Sequence, residues 1–282
     1  MPDPVPTPEE LARQARGHLE SLQMAGVEWV PAAHTAPPPG ARESKPEVRA
    51  SEGGSPPVAV AASLFAEPVE PPAAEGTGLT LEQRRVALEL LAEQISTCPR
   101  CAELMATRTQ IVFGDGSPGA ELCFIGEAPG ADEDAQGIPF VGPAGQLLNK
   151  IIAACGMKRE EIYILNILKC RPPNNRQPRA DEAAHCREYL ERQLELVAPK
   201  FICALGGSAA QNLLGTTESL GRLRRRFHDY KGIPVLCTYH PAYMLPHRCP
   251  DKKQEQERKK AVWEDMKLLM TRMGRTIPPA KK

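Results

Sequence analysis

Three short polar stretches of this 282-residue chain carry side chains that could perform chemistry, and each adjoins an apolar run. They are "GEAPGADED" at 126–134, "NILKCRPPNNR" at 166–176 and "TYHPAYML" at 238–245. A glycine-rich turn after a strand exposes backbone N–H groups that can face an anion or a carbonyl. Asn166 and His240 add an amide and a titratable ring. The pattern indicates a polar ligand site, and the lack of G-x-G-x-x-G and of a P-loop lysine disfavours a nucleotide cradle.

Each of these features also has a plain structural explanation. Taken alone, the glycine-rich stretch is typical of a tight turn with solvated acids. Asn166, inside the apolar run "YILNIL", is either a ligand-reading amide or a buried amide satisfied by the backbone. A lone histidine is usually structural, but His240 follows a run that predicts a strand. Residue types alone leave both interpretations open.

Four of the nine cysteines are spaced like metal ligands. Cys98 and Cys101 form a C-x2-C pair, Cys170 opens a proline-rich loop, and Cys186 follows it after fifteen residues. Two such pairs can close a four-thiolate site, but spacing does not separate zinc from an iron–sulfur cluster because both accept four thiolates. Cys186 also shares helical spacing with Leu190, so by itself it could be a core residue.

The other five cysteines fit ordinary structural positions. Cys123, Cys155, Cys203 and Cys237 lie in apolar runs and are predicted to be core residues, whereas Cys249 is predicted to be a loop thiol. The N-terminus lacks the layout of a secretion signal, and no apolar run is long enough to span a bilayer. We therefore expect a cytoplasmic protein without disulfides or a membrane partner.

The composition divides the chain into two parts. Residues 1–80 hold 14 of the 29 prolines and carry 11 acidic against 5 basic side chains, which disfavours a core. Residues 81–282 carry 30 basic against 24 acidic side chains, so an anionic partner is expected to bind there. The predicted organisation is an N-terminal amphipathic segment at 1–30 with a helix at 8–24, a disordered proline-rich linker at 31–78, a domain at 79–275 and a basic tail at 276–282.

The domain alternates between strand and helix patterns. Four β-rich apolar runs lie at 121–125, 162–168, 200–206 and 233–239, and helical patterns lie at 80–95, 144–156, 181–197 and 208–215. Because parallel strands need crossover connections, this alternation predicts an α/β fold. We expect a three-layer α/β/α arrangement with a central, mainly parallel four-stranded sheet. Ligands of such sheets bind at the carboxyl ends of the strands, and this rule selects the segments 126–134, 166–176, 206–208 and 240–245.

The blocks "GEAPGADEDAQGIPFVGPAGQLL", "NILKCRPPNNRQP" and "TYHPAYML", together with the four spaced cysteines, resemble the signature blocks of the family 4 uracil-DNA glycosylases. The resemblance runs from about Thr97 to about Met270 and implies the fold of that family. It also implies a monofunctional hydrolase of base excision repair, which flips uracil out of DNA and hydrolyses its N-glycosidic bond to leave an abasic site. One [4Fe-4S] cluster is implied, held by Cys98, Cys101, Cys170 and Cys186.

The resemblance also implies roles for the residues that meet the flipped base. Phe140 matches the family's stacking aromatic, although a core phenylalanine is the alternative. Asn166 matches the amide that reads the uracil edge, and His240 matches the histidine that hydrogen-bonds uracil O2 as the base departs. The backbone N–H groups of Gly126, Glu127 and Ala128 are expected to help hold the base.

The residue that places the water is less obvious from the resemblance. Glycosylases of other families carry an aspartate where this chain has Ala128, and alanine cannot orient or deprotonate water. The implied mechanism is therefore dissociative, with an oxocarbenium-like sugar and a water positioned by Glu127 or Glu133.

DNA contacts are expected from two further segments. Met244 and Leu245, just after His240, are candidate wedges for the vacated base stack, with loop anchoring as the alternative. A basic segment offers phosphate contacts or a solvated charged turn, and it comprises Arg222, Arg224, Arg225 and Arg226. Arg225 stands where the family commonly has glycine, which leaves the local loop shape open.

The expected partner is uracil-containing DNA, single- or double-stranded, bound by a monomer that is associated with the nucleoid through that DNA. The segment at 8–24 could dock a replication or repair protein or fold back on the domain. One alternative is a non-catalytic iron–sulfur or zinc module that binds single-stranded DNA or a polymerase. Another is a related glycosylase that becomes covalently trapped on its product, which "RRRFH" (224–228) resembles only loosely.

Overall fold

The computed structural model describes residues 78–278. The predictions for the segment at 1–30, for nearly all of the linker at 31–78 and for most of the tail at 276–282 fall outside these residues. Within them, no helix is both long and apolar enough to cross a membrane.

A six-stranded sheet forms the centre of the described domain, with the strand order β1-β3-β2-β4-β6-β5. The strands are β1 Asp115–Gly116, β2 Leu122–Gly126, β3 Tyr163–Asn166, β4 Phe201–Leu205, β5 Phe227–Tyr230 and β6 Ile233–Thr238. The four central strands are parallel, and the two edge strands are antiparallel to their neighbours. The predicted four-stranded parallel sheet is therefore confirmed, with one short antiparallel strand added at each edge.

Helices cover both faces of this sheet. They are α1 Leu81–Ser96, α2 Ala102–Thr107, α3 Ala131–Gln136, α4 Pro143–Ala154, α5 Ala180–Val197, α6 Gly207–Leu214, α7 Leu220–Leu223 and α8 Lys252–Arg272. Helix α1 begins where Thr80 and Gln83 form a capping box, which satisfies two backbone N–H groups that have no partner inside the helix. Helix α8, which was not predicted, begins at the side-chain cap of Asp251 on the N–H of Gln254.

The side chains of each buried strand alternate between two apolar layers. On β2, Cys123 and Ile125 pack in the layer formed with α1, α5 and α6, whereas Leu122 and Phe124 pack in the layer formed with α4 and α8. Burial on both faces explains why the central strands are continuous apolar runs rather than alternating ones. The three-layer architecture predicted from the sequence is confirmed. The four predicted core cysteines are buried as well.

The connections after β2 and β4 leave in opposite directions. From β2 the chain goes to β3 on one side, and from β4 it goes through the edge strand β5 to β6 on the other. Such a reversal opens a crevice at the carboxyl ends of the two adjacent strands, where ligands of open α/β sheets bind. The turn after β2 begins at Gly126, and the turn after β4 begins at Gly206. This crevice is where the candidate site lies.

Candidate active site

Gly126 brings two of the predicted site residues together. It is paired in register with Asn166 across the parallel strands β2 and β3. A Cβ added at Gly126 would lie 2.3 Å from Asn166 Oδ1 and 2.6 Å from Phe140 Cζ. Both distances are shorter than a side-chain carbon tolerates, so only glycine allows the amide and the ring to approach this strand end.

Asn166 presents a buried acceptor to the crevice. The residue is 2% exposed, and its Oδ1 accepts no hydrogen bond from any residue in the described range 78–278. The backbone carbonyl of Asn166 accepts a hydrogen bond from the buried Lys169 Nζ at 2.9 Å. A buried acceptor without a donor costs about 1–3 kcal/mol, so its presence beside a crevice indicates a ligand that supplies the donor.

Phe140 lies between Gly126 and His240. Its ring centroid is 5.5 Å from that of His240, and the two rings are tilted by 33°. The backbone of Phe140 has φ of 54°, in the left-handed region that a bulky residue rarely adopts. Phe140 is 5% exposed. The predicted stacking aromatic therefore borders the same crevice as the amide of Asn166.

Glu133 holds the loop that carries Phe140. Its Oε1 accepts hydrogen bonds from the N–H groups of Val141 and Gly142 at 3.0 and 2.9 Å, and its Oε2 accepts one from Gly130 at 3.1 Å. Three backbone donors occupy most of the lone pairs of this carboxylate. The expectation that Glu133 positions water is corrected by these contacts, because the carboxylate is already engaged in fixing the loop.

Glu127 has a different environment from Glu133. It is partly buried, and burial raises the pKa of its carboxyl, while the nearby Ser208 hydroxyl acts in the opposite direction. The backbone carbonyls of Gly126 and Glu127 accept hydrogen bonds from Ile167 and Leu168, which ties this turn to the end of β3. A partly desolvated carboxyl at the crevice is suited to hold a water molecule.

His240 follows β6 as a neutral ring. Its Nδ1 accepts a hydrogen bond from the N–H of Ala242 at 3.1 Å, so the ring proton is on Nε2. Burial, together with the charge of Arg248, lowers the pKa of His240 to about 4. A Cβ on Gly206 would lie 3.1 Å from the Cβ of His240, so the turns after β4 and β6 are in close contact. The neutral imidazole can donate from Nε2.

This lowered pKa has a measurable consequence for stability. As pH falls from 6.5 towards about 4, the unfolded chain takes up a proton at His240 that the folded protein does not. Unfolding becomes easier in that window. We expect wild-type protein to lose more free energy of unfolding than the His240→Gln variant between about pH 7 and about pH 5, as measured by urea titration. Equal losses in the two proteins would contradict the neutral assignment.

Hydrogen-bonding side chains lie beside three of the four cysteines predicted as ligands. Cys98 and Cys101 lie between α1 and α2, Cys170 follows β3, and Cys186 is on α5. Tyr189 Oη donates to Cys98 Sγ at 3.4 Å, Arg108 Nη1 donates to Cys170 Sγ at 3.1 Å, and His185 Nδ1 lies 3.4 Å from Cys101 Sγ. Burial first, and then the thiols of Cys186 and Cys170, raise the pKa of Cys101 to about 11.

The chemistry of this donor set fits a soft metal or a cluster. Four thiols influence one another electrostatically at one end of the domain, and bound metal deprotonates ligating thiols and so reverses the pKa shift. Among the described residues, no group of three or more histidine, cysteine, aspartate or glutamate side chains is arranged to hold a single metal ion.

The prediction that Arg224 contacts DNA is wrong. It is 8% exposed, and its guanidinium pairs with Asp265 on α8 at 2.7 Å. The same group lies over the ring of Tyr239 at 4.0 Å, and Thr238 Oγ1 donates to Asp265 at 2.6 Å. Thr238 and Tyr239 lead directly into His240, so this buried ion pair supports the turn after β6 that carries His240. Arg224 is therefore not available to contact DNA.

The burial of Arg224 predicts a large effect on stability. Replacing Arg224 with alanine leaves the buried carboxylate of Asp265 without its charge partner, so we expect a loss of about 3–5 kcal/mol in the free energy of unfolding. Arg222→Ala is the matched control, because Arg222 is exposed two residues earlier. Urea unfolding of both variants tests this, and similar stabilities would show that the ion pair is unimportant.

The prediction that Met244 is a wedge for the base stack is also wrong. The residue is 1% exposed and packs with Leu148 and Met266 in the apolar layer formed by α4 and α8. It anchors the turn after His240 and cannot serve as a wedge without leaving the core. Leu245, the neighbouring candidate, is partly exposed.

The other three arginines of the basic segment are exposed. Arg226 forms an exposed ion pair with Glu218 at 3.1 Å. Arg225 has φ of 64°, which explains why a glycine is common at this position in the family that the sequence resembles. Arg222 lies on α7, which contacts β6.

Two further residues belong to this region. Ser208 lies beside Glu127, and Arg159 donates to the backbone of Phe140. Ser208 is part of the strand end at 206–208, where the sequence predicts ligand binding, although no role for its hydroxyl was predicted. No sequence signal marks Arg159, because all hydrogen-bond partners of its side chain are at least 10 residues away in the chain.

The crevice combines a stacking ring, a buried amide and a neutral histidine at the switch point of a parallel sheet. These features define an α/β protein that binds a flat heterocycle with hydrogen-bonding edges. Residues 113–267 match the uracil DNA glycosylase superfamily. The chain therefore belongs to this superfamily, and its similarity to curated relatives places it with the type-4 enzymes.

Three type-4 uracil-DNA glycosylases illustrate this similarity. The protein from Archaeoglobus fulgidus is 41% identical over 179 residues, which are 61% of this chain and 88% of the relative. The protein from Thermotoga maritima is 38% identical over 185 residues, 65% of this chain and 93% of the relative. The protein from Saccharolobus solfataricus is 42% identical over 167 residues, 56% of this chain and 77% of the relative. The resemblance predicted from the sequence blocks is confirmed.

Proposed function

We propose that this protein is a monofunctional uracil-DNA glycosylase of base excision repair. It flips uracil out of DNA and hydrolyses the N-glycosidic bond, which leaves an abasic site. The observation that carries this proposal is the buried Oδ1 of Asn166, beside Gly126 and the ring of Phe140, which accepts no hydrogen bond from any residue that the structure describes. A hydrolytic reaction of this kind moves no electrons, so it requires no redox step.

The edge of uracil complements the amide of Asn166. The amide oxygen accepts from uracil N3–H, while the amide NH2 donates to O4. Cytosine presents the reverse pattern at these two atoms, so it would leave a buried polar group unpaired and would be rejected. Phe140 stacks on the base, and the backbone N–H groups from Gly126 to Ala128 hold it at the end of β2.

The neutral ring of His240 stabilises the departing base. As the glycosidic bond breaks, negative charge accumulates on uracil O2, and the Nε2–H of His240 donates to this oxygen. A donor whose interaction strengthens as charge develops lowers the barrier rather than only tightening binding. Because the histidine is already neutral, it acts as a hydrogen-bond donor and does not transfer its proton.

Glu127 positions the water that attacks the oxocarbenium-like sugar. Ala128 offers no group for this purpose, and Glu133 is engaged with three backbone N–H groups. We expect Glu127→Ala to lower the single-turnover rate of uracil excision by about tenfold or more. Glu160→Ala, at an exposed carboxylate, is the control. An unchanged rate for Glu127→Ala would reject the role.

One [4Fe-4S] cluster is proposed as the cofactor, held by Cys98, Cys101, Cys170 and Cys186. Its function is structural, because it would join the α1–α2 connection to the loop after β3 and to α5. The kinship with type-4 enzymes supports this choice over zinc, and hydrogen-bond donors lie beside the sulfurs of Cys98 and Cys170. The surrounding chain supplies the charge balance through Arg108, which donates to the Cys170 sulfur.

DNA contacts are proposed from the exposed side chains near the crevice, namely Arg222, Arg225, Arg226 and Leu245. The substrate is uracil-containing DNA, single- or double-stranded, and the protein acts as a monomer in the cytoplasm, associated with the nucleoid through DNA. The organisation proposed for the rest of the chain is an N-terminal segment at 1–30 that docks a replication or repair protein, a linker at 31–78, the catalytic domain at 79–275 and a basic tail at 276–282.

The activity is tested with two matched oligonucleotides, one containing uracil and the other thymine at the same position. Alkali cleaves the strand at an abasic site, so scission only in the uracil strand, after incubation with the protein, is the expected result. Intact strands would overturn the proposal, and DNA binding without scission would favour the non-catalytic module. A denaturant-stable protein–DNA adduct would instead indicate covalent trapping.

A further inference from the structure

Phe140 adopts a backbone conformation that the loop must impose on it. Its φ of 54° lies in the left-handed region, where a side chain with a Cβ is disfavoured. Such a conformation is disfavoured and persists only where the surrounding structure enforces it. The groups that enforce it at Phe140 therefore also decide where the stacking ring lies.

Arg159, which lies outside the loop, binds the backbone at Pro139 and Phe140. Its Nη2 donates to Pro139 O at 2.6 Å and its Nη1 donates to Phe140 O at 3.2 Å. The planar guanidinium thus holds two consecutive carbonyls, and this fixes the peptide plane between Pro139 and Phe140. A lysine could not do this, because its ammonium has no fork geometry.

Arg159 is itself held in place from two other elements. Its Nε donates to Asp115 Oδ2 of strand β1 at 3.2 Å, and its Nη1 donates to Asn149 Oδ1 of helix α4 at 3.0 Å. The side chain of Arg159 is 20% exposed, so these bonds are partly shielded from water. The guanidinium therefore links the position of Phe140 to strand β1 at the edge of the sheet and to helix α4.

The opposite side of the same peptide segment is held as well. Glu133 accepts from the two N–H groups that follow Phe140, and Gly145 of α4 lies against its carbonyl. A Cβ on Gly145 would lie 1.9 Å from Phe140 O, so the helix backbone closes this side. Together these contacts fix both the carbonyls and the amides around the strained residue.

We infer that Arg159 is a positioning residue for uracil excision, acting through Phe140 and not through contact with the substrate. This inference rests on the proposed function. Loss of the guanidinium frees two carbonyls and lets the left-handed backbone relax, which displaces the ring from the base. A displacement of about 1 Å from the productive geometry can cost up to about 100-fold in rate, so a clear kinetic effect is expected.

The test is a double-mutant cycle on the full-length protein with its cofactor. Arg159→Met is made in the wild-type chain and in Phe140→Leu, and single-turnover excision at saturating protein is measured for all four proteins. We expect Arg159→Met to slow wild type by about tenfold, and to slow Phe140→Leu by no more than about twofold, because the ring it positions is gone. Equal losses in both backgrounds would overturn the inference.

A binding measurement keeps the test independent of catalysis. Free uracil is used as an inhibitor of excision, and we expect its inhibition constant to rise by about tenfold in Arg159→Met, because stacking is weakened. The inhibition constant for Arg159→Lys should be as high as that for Arg159→Met. If only a positive charge were needed, lysine would restore the wild-type value. An unchanged inhibition constant, or full rescue by lysine, would count against a positioning role.

Controls separate this inference from folding and from the proposed function. Arg192→Met removes an arginine from an exposed pair with Glu195 on α5, and it should leave the excision rate unchanged. Thermal unfolding shows whether Arg159→Met is folded at the assay temperature. If it is not, Asp115→Asn replaces it in the cycle, because this variant removes only the carboxylate that holds Arg159. The expected pattern of rates is the same. Absence of excision by wild type itself rejects the proposed function, whereas normal wild-type excision with additive mutants rejects only the role of Arg159.

Discussion

Replacing Asn166 with aspartate is expected to reduce uracil excision by about 1000-fold in single-turnover assays. The substitution keeps the shape of the side chain but replaces the NH2 donor with an acceptor. That acceptor would face uracil O4, and an ionised carboxylate would be buried beside Gly126 and the ring of Phe140. Both changes oppose binding of the base in the geometry from which it leaves.

The matched control is Gln256→Glu, which makes the same chemical change at an exposed position on α8. Its excision rate should equal that of wild type. Thermal unfolding of the Asn166→Asp protein shows whether a loss of activity comes from the missing amide or from unfolding of the protein. A folded Asn166→Asp variant that excises uracil at the wild-type rate would refute the base-reading role of this amide and would favour the buried structural amide.

If the proposed cluster is present, replacing Cys186 with serine is expected to remove it and to destabilise the domain. Loss of one of four thiolates leaves an incomplete ligand set, and metal-binding energy that contributes to folding is lost with it. We expect the purified variant to lose the brown colour of an iron–sulfur protein and its iron. For a loss of about 4 kcal/mol, the Tm should fall by roughly 10 °C.

Cys155→Ser is the matched control for this variant. Both cysteines are buried, but Cys155 lies in the opposite apolar layer, against α4 and α8, and outside the proposed ligand set. Cys155→Ser should keep the colour and the iron. Stoichiometric zinc with no iron in anaerobically prepared wild-type protein would reject the cluster, as would a Cys186→Ser variant that keeps its iron.

Local patterns in the sequence were sufficient to predict the architecture. The four parallel strands are continuous apolar runs, and the runs "AGQLLNKIIAACG" and "DEAAHCREYLERQLELV" repeat apolar residues at helical spacing. The edge strands β1 and β5 were not predicted because β1 has only two residues and β5, "FHDY", has two polar residues among its four. Helix α8 was not predicted because its first nine residues, "KKQEQERKK", are all polar and show no apolar periodicity.

The sequence by itself also determined which residue types lie at the strand ends, because an asparagine, a histidine and a glycine turn stand directly after apolar runs. Only the tertiary structure decided which neighbouring residues share that crevice. Arg224 and Arg225 are adjacent in an apparently uniform basic run, yet one is buried against Asp265 and the other is exposed. The physical reason is that burial and charge pairing depend on contacts between distant segments, which local spacing does not encode.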